Sequence, residues 1–185
     1  MGLSLNLALK RIDLHGYSHI FKIDGDVKLP LDYLSNLLAK KAPVAGKGAC
    51  LLMSVHFFVN KLSGNYPVSY CDDGYVSALS ISTGHWPPEY DGKESLEIPV
   101  AYFHEREYYY GREYYKWGMP LRLLVLLLFI SLIKIRQKKF KKFLLNIAGY
   151  ISAIVNKDKK YEWWKDYARM RVYHFVSKLR FRKFR

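Results

Sequence analysis

The chain has 185 residues, enough for one domain with a buried core and room for an appendage. Its two cysteines, Cys50 and Cys71, exclude a disulfide framework and make a reducing compartment the default. The net charge of +14 is unevenly spread: residues 1–115 hold 11 Lys and Arg against 13 Asp and Glu, whereas residues 116–185 hold 19 against 3, so two regions with different surroundings are expected.

The opening MGLSLNLALKRIDLHG carries no secretory pattern, because Asn6, Lys10, Arg11 and Asp13 interrupt its apolar positions; nothing there argues for export. Leu3, Leu5, Leu7, Ala8 and Leu9 predict an amphipathic helix that stops at Gly16, and residues 18–23 a short apolar strand. After the turn Asp24-Gly25-Asp26, Pro30 suits a first helical turn, and Leu31, Leu34, Leu37 and Leu38 recur at the spacing of one helical face. A second apolar run, residues 49–55, follows the glycines of VAGKGAC, and a third, residues 98–103, precedes a tyrosine cluster. Helix between apolar strands predicts an α/β domain with a largely parallel sheet over residues 1–115, followed by basic, apolar helices over residues 116–185.

In open α/β sheets ligands collect beyond the carboxyl ends of the strands, where Asp24 and Asp26 fall. On an extended backbone residues i and i+2 point the same way, so both carboxylates are expected to face one cation, Mg²⁺ or Mn²⁺, as hard oxygen ligands. The competing reading is a solvated Asx turn. A second acidic pair, Asp72 and Asp73 in YCDDGYVSAL, precedes a helical pattern; adjacent carboxylates repel and raise one pKa, while capping of the helix N-terminus is the structural alternative. Trp86 in GHWPPEY is a candidate for stacking on a sugar ring, or else a loop anchor.

The run GLSLNLALKRIDLHGYSHIFKIDGDVKLPLDYLSNLL resembles the middle of glycosyltransferase family 2, which has a GT-A fold; Pro30 and Tyr33 match that family's P-x-x-Y/L helix start, and Asn6 its slightly displaced asparagine. The resemblance continues through VAGKGACLLMS, YCDDGYVSALSISTG and IPVAYFHEREYYYGREYYKWGMPLRLL, in the family's order. It implies a partial, Rossmann-like GT-A domain in which Asp24 and Asp26 form the metal and nucleotide-diphosphate motif. Asp73 or Asp72 is then the base that deprotonates the acceptor hydroxyl, and His104, in AYFHER, a further metal or diphosphate ligand. The implied chemistry is a single inverting displacement, with a cation neutralising the departing nucleoside diphosphate.

The family's opening strand and nucleotide-binding βα units have no counterpart here, so an N-terminally incomplete enzyme, or one complemented by a partner chain, is expected. In the basic part, residues 123–133 and 143–155 are uncharged runs shorter than a membrane span, preceded by aromatic residues and interrupted by RQKKFKK. Two helices lying in the inner-leaflet interface, basic residues toward anionic headgroups, fit that pattern; a helical hairpin packed on the catalytic domain is the alternative. The final YEWWKDYARMRVYHFVSKLRFRKFR interleaves aromatic and basic residues, yet contains no nucleic-acid-binding module. The expected function is transfer of a sugar from a nucleotide-sugar to a lipid-linked or polysaccharide acceptor at the cytoplasmic membrane face. A catalytically inactive membrane-associated remnant and a basic nucleic-acid-binding protein are the alternatives.

Overall fold

A computed structural model describes residues 2–69, 71–92, 104–134 and 140–182. The chain divides into two compact units, Met1–Ala101 and Tyr102–Arg185. The first contains α1 (Gly2–Leu9), β1 (His19–Ile23), α2 (Tyr33–Ala39), β2 (Val44–Lys47), β3 (Cys50–Ser54), α3 (Val55–Lys61) and α4 (Asp72–Ser82). The second contains α5 (His104–Lys116), α6 (Leu121–Lys134), α7 (Phe140–Val155) and α8 (Trp164–Arg182). The strand expected over residues 98–103 lies outside the described residues.

The expected α/β class holds, but the described sheet is antiparallel, in the order β1-β3-β2, which corrects the parallel sheet expected from the sequence. The physical reason lies in VAGKGAC. Only Gly48 and Ala49 separate β2 from β3, and a two-residue connection can build only a hairpin. Gly46 takes φ +90°, and a Cβ there would run into the Cys50 carbonyl oxygen, so this close hairpin requires glycine. Because β1 and β2 both run antiparallel to β3, they point the same way, joined through α2, and β3 fills the place between them.

Side chains alternate across this sheet. Phe21, Leu52 and Ala45 share a face and pack with Tyr33 and Leu37 of α2 and with Cys50. Lys22 and Leu51, with Ile20, Met53 and Val44, occupy the other face, and α4 packs against β2. The helical face expected from Leu31, Leu34, Leu37 and Leu38 is corrected: α2 begins at Tyr33, after a turn in which Tyr33 N–H donates to the Pro30 carbonyl, and its buried residues are Tyr33 and Leu37. Leu31 precedes the helix and is fully exposed, and Leu34 and Leu38 face outward. The first helix also ends earlier than expected, at Leu9, and Gly16 sits in a later turn at φ +87°.

The second unit is built on the crossing of α5 and α7. Gly111 lies against the Asn146 backbone and Gly149 against the Tyr108 backbone, so two glycines let the helices approach more closely than any side chain would allow. Polar contacts fix the register: Asn146 Nδ2 donates to Glu107 at 3.0 Å, Tyr108 OH to Ser152 Oγ at 2.7 Å, and Arg112 grips Asp158 at 2.8 Å. Trp117, Tyr114 and Tyr167 stack edge-to-face within the same unit. The tyrosine-rich stretch therefore packs with the basic helices, although the charge balance changes only after residue 115.

Candidate active site

The acidic turn forms where β1 runs out. Asp24 N–H donates to the Ala49 carbonyl at 2.8 Å, which is the last backbone link toward β3. The Asp24 carbonyl then accepts from Val27 N–H at 3.2 Å, closing a turn with Gly25 and Asp26 at its centre. This corrects the expectation that Asp24 and Asp26 alternate along an extended strand: the chain is already turning between them. The i, i+2 relationship operates one step earlier, between Lys22 and Asp24.

Lys22 lies on the α4-side face of β1, its side chain only 5% exposed. Its Nζ stands 3.0 Å from Asp24 Oδ1 and 2.7 Å from Asp73 Oδ1, so the two acidic motifs meet on one ammonium. Burial works against the charge of Lys22, but the carboxylates outweigh it, Asp73 more than Asp24, and hold the ammonium above its ordinary range. Asp24 Oδ1 is buried and accepts no aligned hydrogen bond, so its partnership with Lys22 is an ion pair.

Asp73 is held from a second side. Tyr66 OH donates to Asp73 Oδ1 at 2.6 Å, and the buried phenol is pushed well above the usual tyrosine range by burial first and then by the Asp73 charge. Tyr66 is itself positioned by Asn6, which accepts from Tyr66 N–H at 2.6 Å and donates to the Tyr66 carbonyl at 2.8 Å. Lys22 and Tyr66 thus both engage Oδ1 of Asp73. Asp72 plays a different part. Its Oδ1 accepts the Asp73 N–H at 2.9 Å at the start of α4, and its carboxyl is held above the ordinary range by burial first and by the neighbouring Asp73.

The carboxylates suit a divalent cation in donor type. Asp24 Oδ1 is already ion-paired with Lys22, so Asp24 has its other carboxylate oxygen to offer, and Asp26 is exposed on the same turn. Among the described residues no group of three or more His, Cys, Asp or Glu is gathered for a metal. Two carboxylates are nonetheless a common protein share of a Mg²⁺ site completed by water and substrate phosphates. Asp24 and Asp26 would hold such an ion, which would supply charge neutralisation for a departing diphosphate.

The remaining candidates fall on other segments of the chain. Trp86 is on the loop after α4, whose Pro88 carbonyl accepts from Gly46 N–H at 2.8 Å, so that loop borders β2, with β3 between it and β1. His104 opens α5 in the second unit, and its side chain lies outside the described residues. Tyr33, matched to the helix-start motif, is a core residue that donates to the Cys50 carbonyl at 3.2 Å. Cys50 and Cys71 are free and buried, and burial, followed by the Asp24 charge, raises the Cys50 thiol to about 11.

Sequence reasoning passed over Lys22 and Tyr66. Lys22 had a legible signal, a lone cation among apolar strand residues two positions before an aspartate; Tyr66, in an irregular segment, had none. No protein-family model matches the chain, and no curated protein or solved structure matches it either.

Proposed function

We propose that the chain carries the acceptor-side and diphosphate-side carboxylates of a family-2-like glycosyltransferase, acting on a nucleotide-sugar and a lipid-linked or polysaccharide acceptor. The observation that supports this reading is the Lys22 bridge, which joins Asp24 to Asp73 across 49 residues of sequence. In the proposed reaction Asp73 takes the proton of the attacking hydroxyl at Oδ2, while Lys22 and Tyr66 fix the carboxylate by binding Oδ1. Asp24 and Asp26 face the diphosphate end. Asp72 orients Asp73 through its backbone and is not itself the base.

The basic unit favours action at a membrane surface. Among the described residues no helix is long and apolar enough to cross a membrane. Yet α6 turns Leu121, Val125, Leu126, Phe129 and Ile130 to solvent, an apolar stripe with spacings of four and five. Together with the excess of Lys and Arg after residue 115, that face suits shallow insertion among anionic headgroups.

Calorimetric titration of the full chain with UDP-, GDP- and dTDP-sugars, with and without Mn²⁺, tests the assignment beside an Asp24→Asn/Asp26→Asn variant. Metal-dependent binding that the variant loses is the expected result. Binding that the variant retains would remove these carboxylates from the diphosphate site, and folded chain that binds no nucleotide-sugar would remove the donor from the reading.

A further inference from the structure

The first unit has a concave site at the end of the sheet away from Asp24. It is a cavity of about 630 Å³ bordered by His19 at the start of β1 and Ser54 at the end of β3, which are register partners. His19 and Ile23 are four residues apart, so at about 3.3 Å per residue the sheet places this cavity about 13 Å from the acidic turn. The two sites also differ in charge.

Three imidazoles and two ammonium groups border the cavity: His19 from β1, Lys41 from the loop after α2, His56 and Lys61 from α3, and His85 from the loop after α4. None of the described residues lining it is acidic. The imidazoles offer N–H donors whether neutral or charged. Asn60 Nδ2 lies 3.1 Å from His56 Nδ1, on α3 beside the cavity. Leu38, Pro43 and Phe57 add apolar walls among the donors.

Lys41 adds an independent observation. It stands just past the C-cap of α2 at φ +51°, the left-handed position that glycine usually fills. The chain thus places a cation at the cavity where glycine would be the less strained choice.

We infer that this cavity binds a phosphate monoester carrying an apolar group, through His19, His56, His85, Lys41 and Lys61. A phosphate presents several charged oxygens to donors arriving from four segments of chain, and the apolar walls receive the attached group. The same chemistry occurs in a soluble phosphoester and in the headgroup of a phosphatidic-acid-type lipid. The inference is independent of glycosyl transfer, because no residue of the acidic site contributes to it.

The test is titration of the full chain with n-octyl phosphate, inorganic phosphate and 1-octanol, read by calorimetry and by the histidine ring signals in proton NMR. Octyl phosphate is expected to bind about tenfold or more tightly than either fragment and to move the signals of His19, His56 and His85. A Lys41→Gly/Lys61→Ala variant, altered only at exposed positions, is expected to keep its melting transition and lose about tenfold or more in affinity. Competition by phosphatidylcholine vesicles containing phosphatidic acid would assign the lipid source, and octyl phosphate binding unaffected by such vesicles the soluble one. Absence of binding, unchanged affinity in the folded variant, or movement of other histidines alone would overturn the inference.

Discussion

Lys22 and Asp73, 51 positions apart in sequence, meet at 2.7 Å, and the same ammonium reaches Asp24 at 3.0 Å. A buried cation thereby ties the end of β1 to the first turn of α4. Removing it leaves two partly buried carboxylates facing each other, a costlier state than replacing the whole cluster with apolar residues. Lys22→Met is expected to destabilise the first unit by about 3 kcal/mol, measured by urea unfolding. The sign of its pH dependence follows. The Lys22 ammonium is held above its ordinary value of 10.5 by Asp73 and Asp24 against the cost of burial, so the stability it contributes is present below that value and lost as pH rises through the raised one, and the deficit of the variant should shrink only in strongly alkaline solution. A deficit independent of pH would mean that the ion pairs contribute nothing beyond packing.

Tyr66 and Asp72 separate two roles at the same helix end. Tyr66→Phe removes the 2.6 Å donor to Asp73 while keeping the buried ring, and is expected to cost about 1.5–3 kcal/mol, the usual range for a hydrogen bond to a charged group. If the proposed transfer reaction is observed, Tyr66→Phe should lower kcat more than it changes donor KM, because it disturbs the base and leaves the diphosphate end untouched. Thermal unfolding and initial rates on the same preparation check both statements.

Asp72 should respond in the opposite direction. Its carboxyl is raised by burial and by Asp73, so the folded state disfavours its charge and stability is lost as pH rises from the ordinary aspartate range through the raised value. Asp72→Asn keeps an oxygen for the Asp73 N–H and removes that charge. It is expected to be more stable than the native chain at pH 7, with the advantage shrinking on acidification, and, if the proposed transfer reaction is observed, to retain activity that Asp73→Asn loses. Equal loss of activity in both variants would show that the two carboxylates act as one unit.

Much of this arrangement was legible from short-range rules, and the misreadings share a physical cause. Residues 18–23 read as a strand because their apolar run is local, and Asp72 and Asp73 read as a helix start because acidic residues suit that end. The parallel sheet was misread because strand direction is set by Gly48 and Ala49, which permit only a hairpin, whereas the apolar content of residues 49–55 is the same in either orientation. The orientation of α2 was misread because Leu31 continues a helical spacing that the backbone does not yet follow. Lys22, Tyr66 and Asn6 come together through tertiary packing, and no spacing in the sequence records that Asn6 holds the backbone of the tyrosine that binds Asp73.

In the second unit, Gly111 and Gly149 are expected to be the least replaceable residues of the α5–α7 crossing. A Cβ on either would collide with backbone of the opposite helix, which cannot move aside as a flexible side chain can. Gly111→Ala or Gly149→Ala should cost about 3 kcal/mol, at the upper end of ordinary overpacking, although alanine is the better helix former. A neutral result in thermal unfolding would mean that the helices separate at little cost.

The outward stripe of α6 yields a prediction that distinguishes a surface made for lipid from one that is only apolar. Val125 and Phe129 lie one turn apart and exposed, so Val125→Asp/Phe129→Asp removes apolar area and adds negative charge without opening a core. Fully burying such a side chain contributes about 1.5–3 kcal/mol, and these two are about half exposed, so the double variant should lose about tenfold or more in affinity for anionic vesicles, measured by co-sedimentation. Raising the salt concentration should weaken the native protein's binding through its basic residues, while leaving a residual affinity that belongs to the stripe. Salt-sensitive binding that the double variant retains in full would assign the attraction to charge alone. Tight binding to RNA with none to vesicles would redirect the basic unit from lipid to nucleic acid.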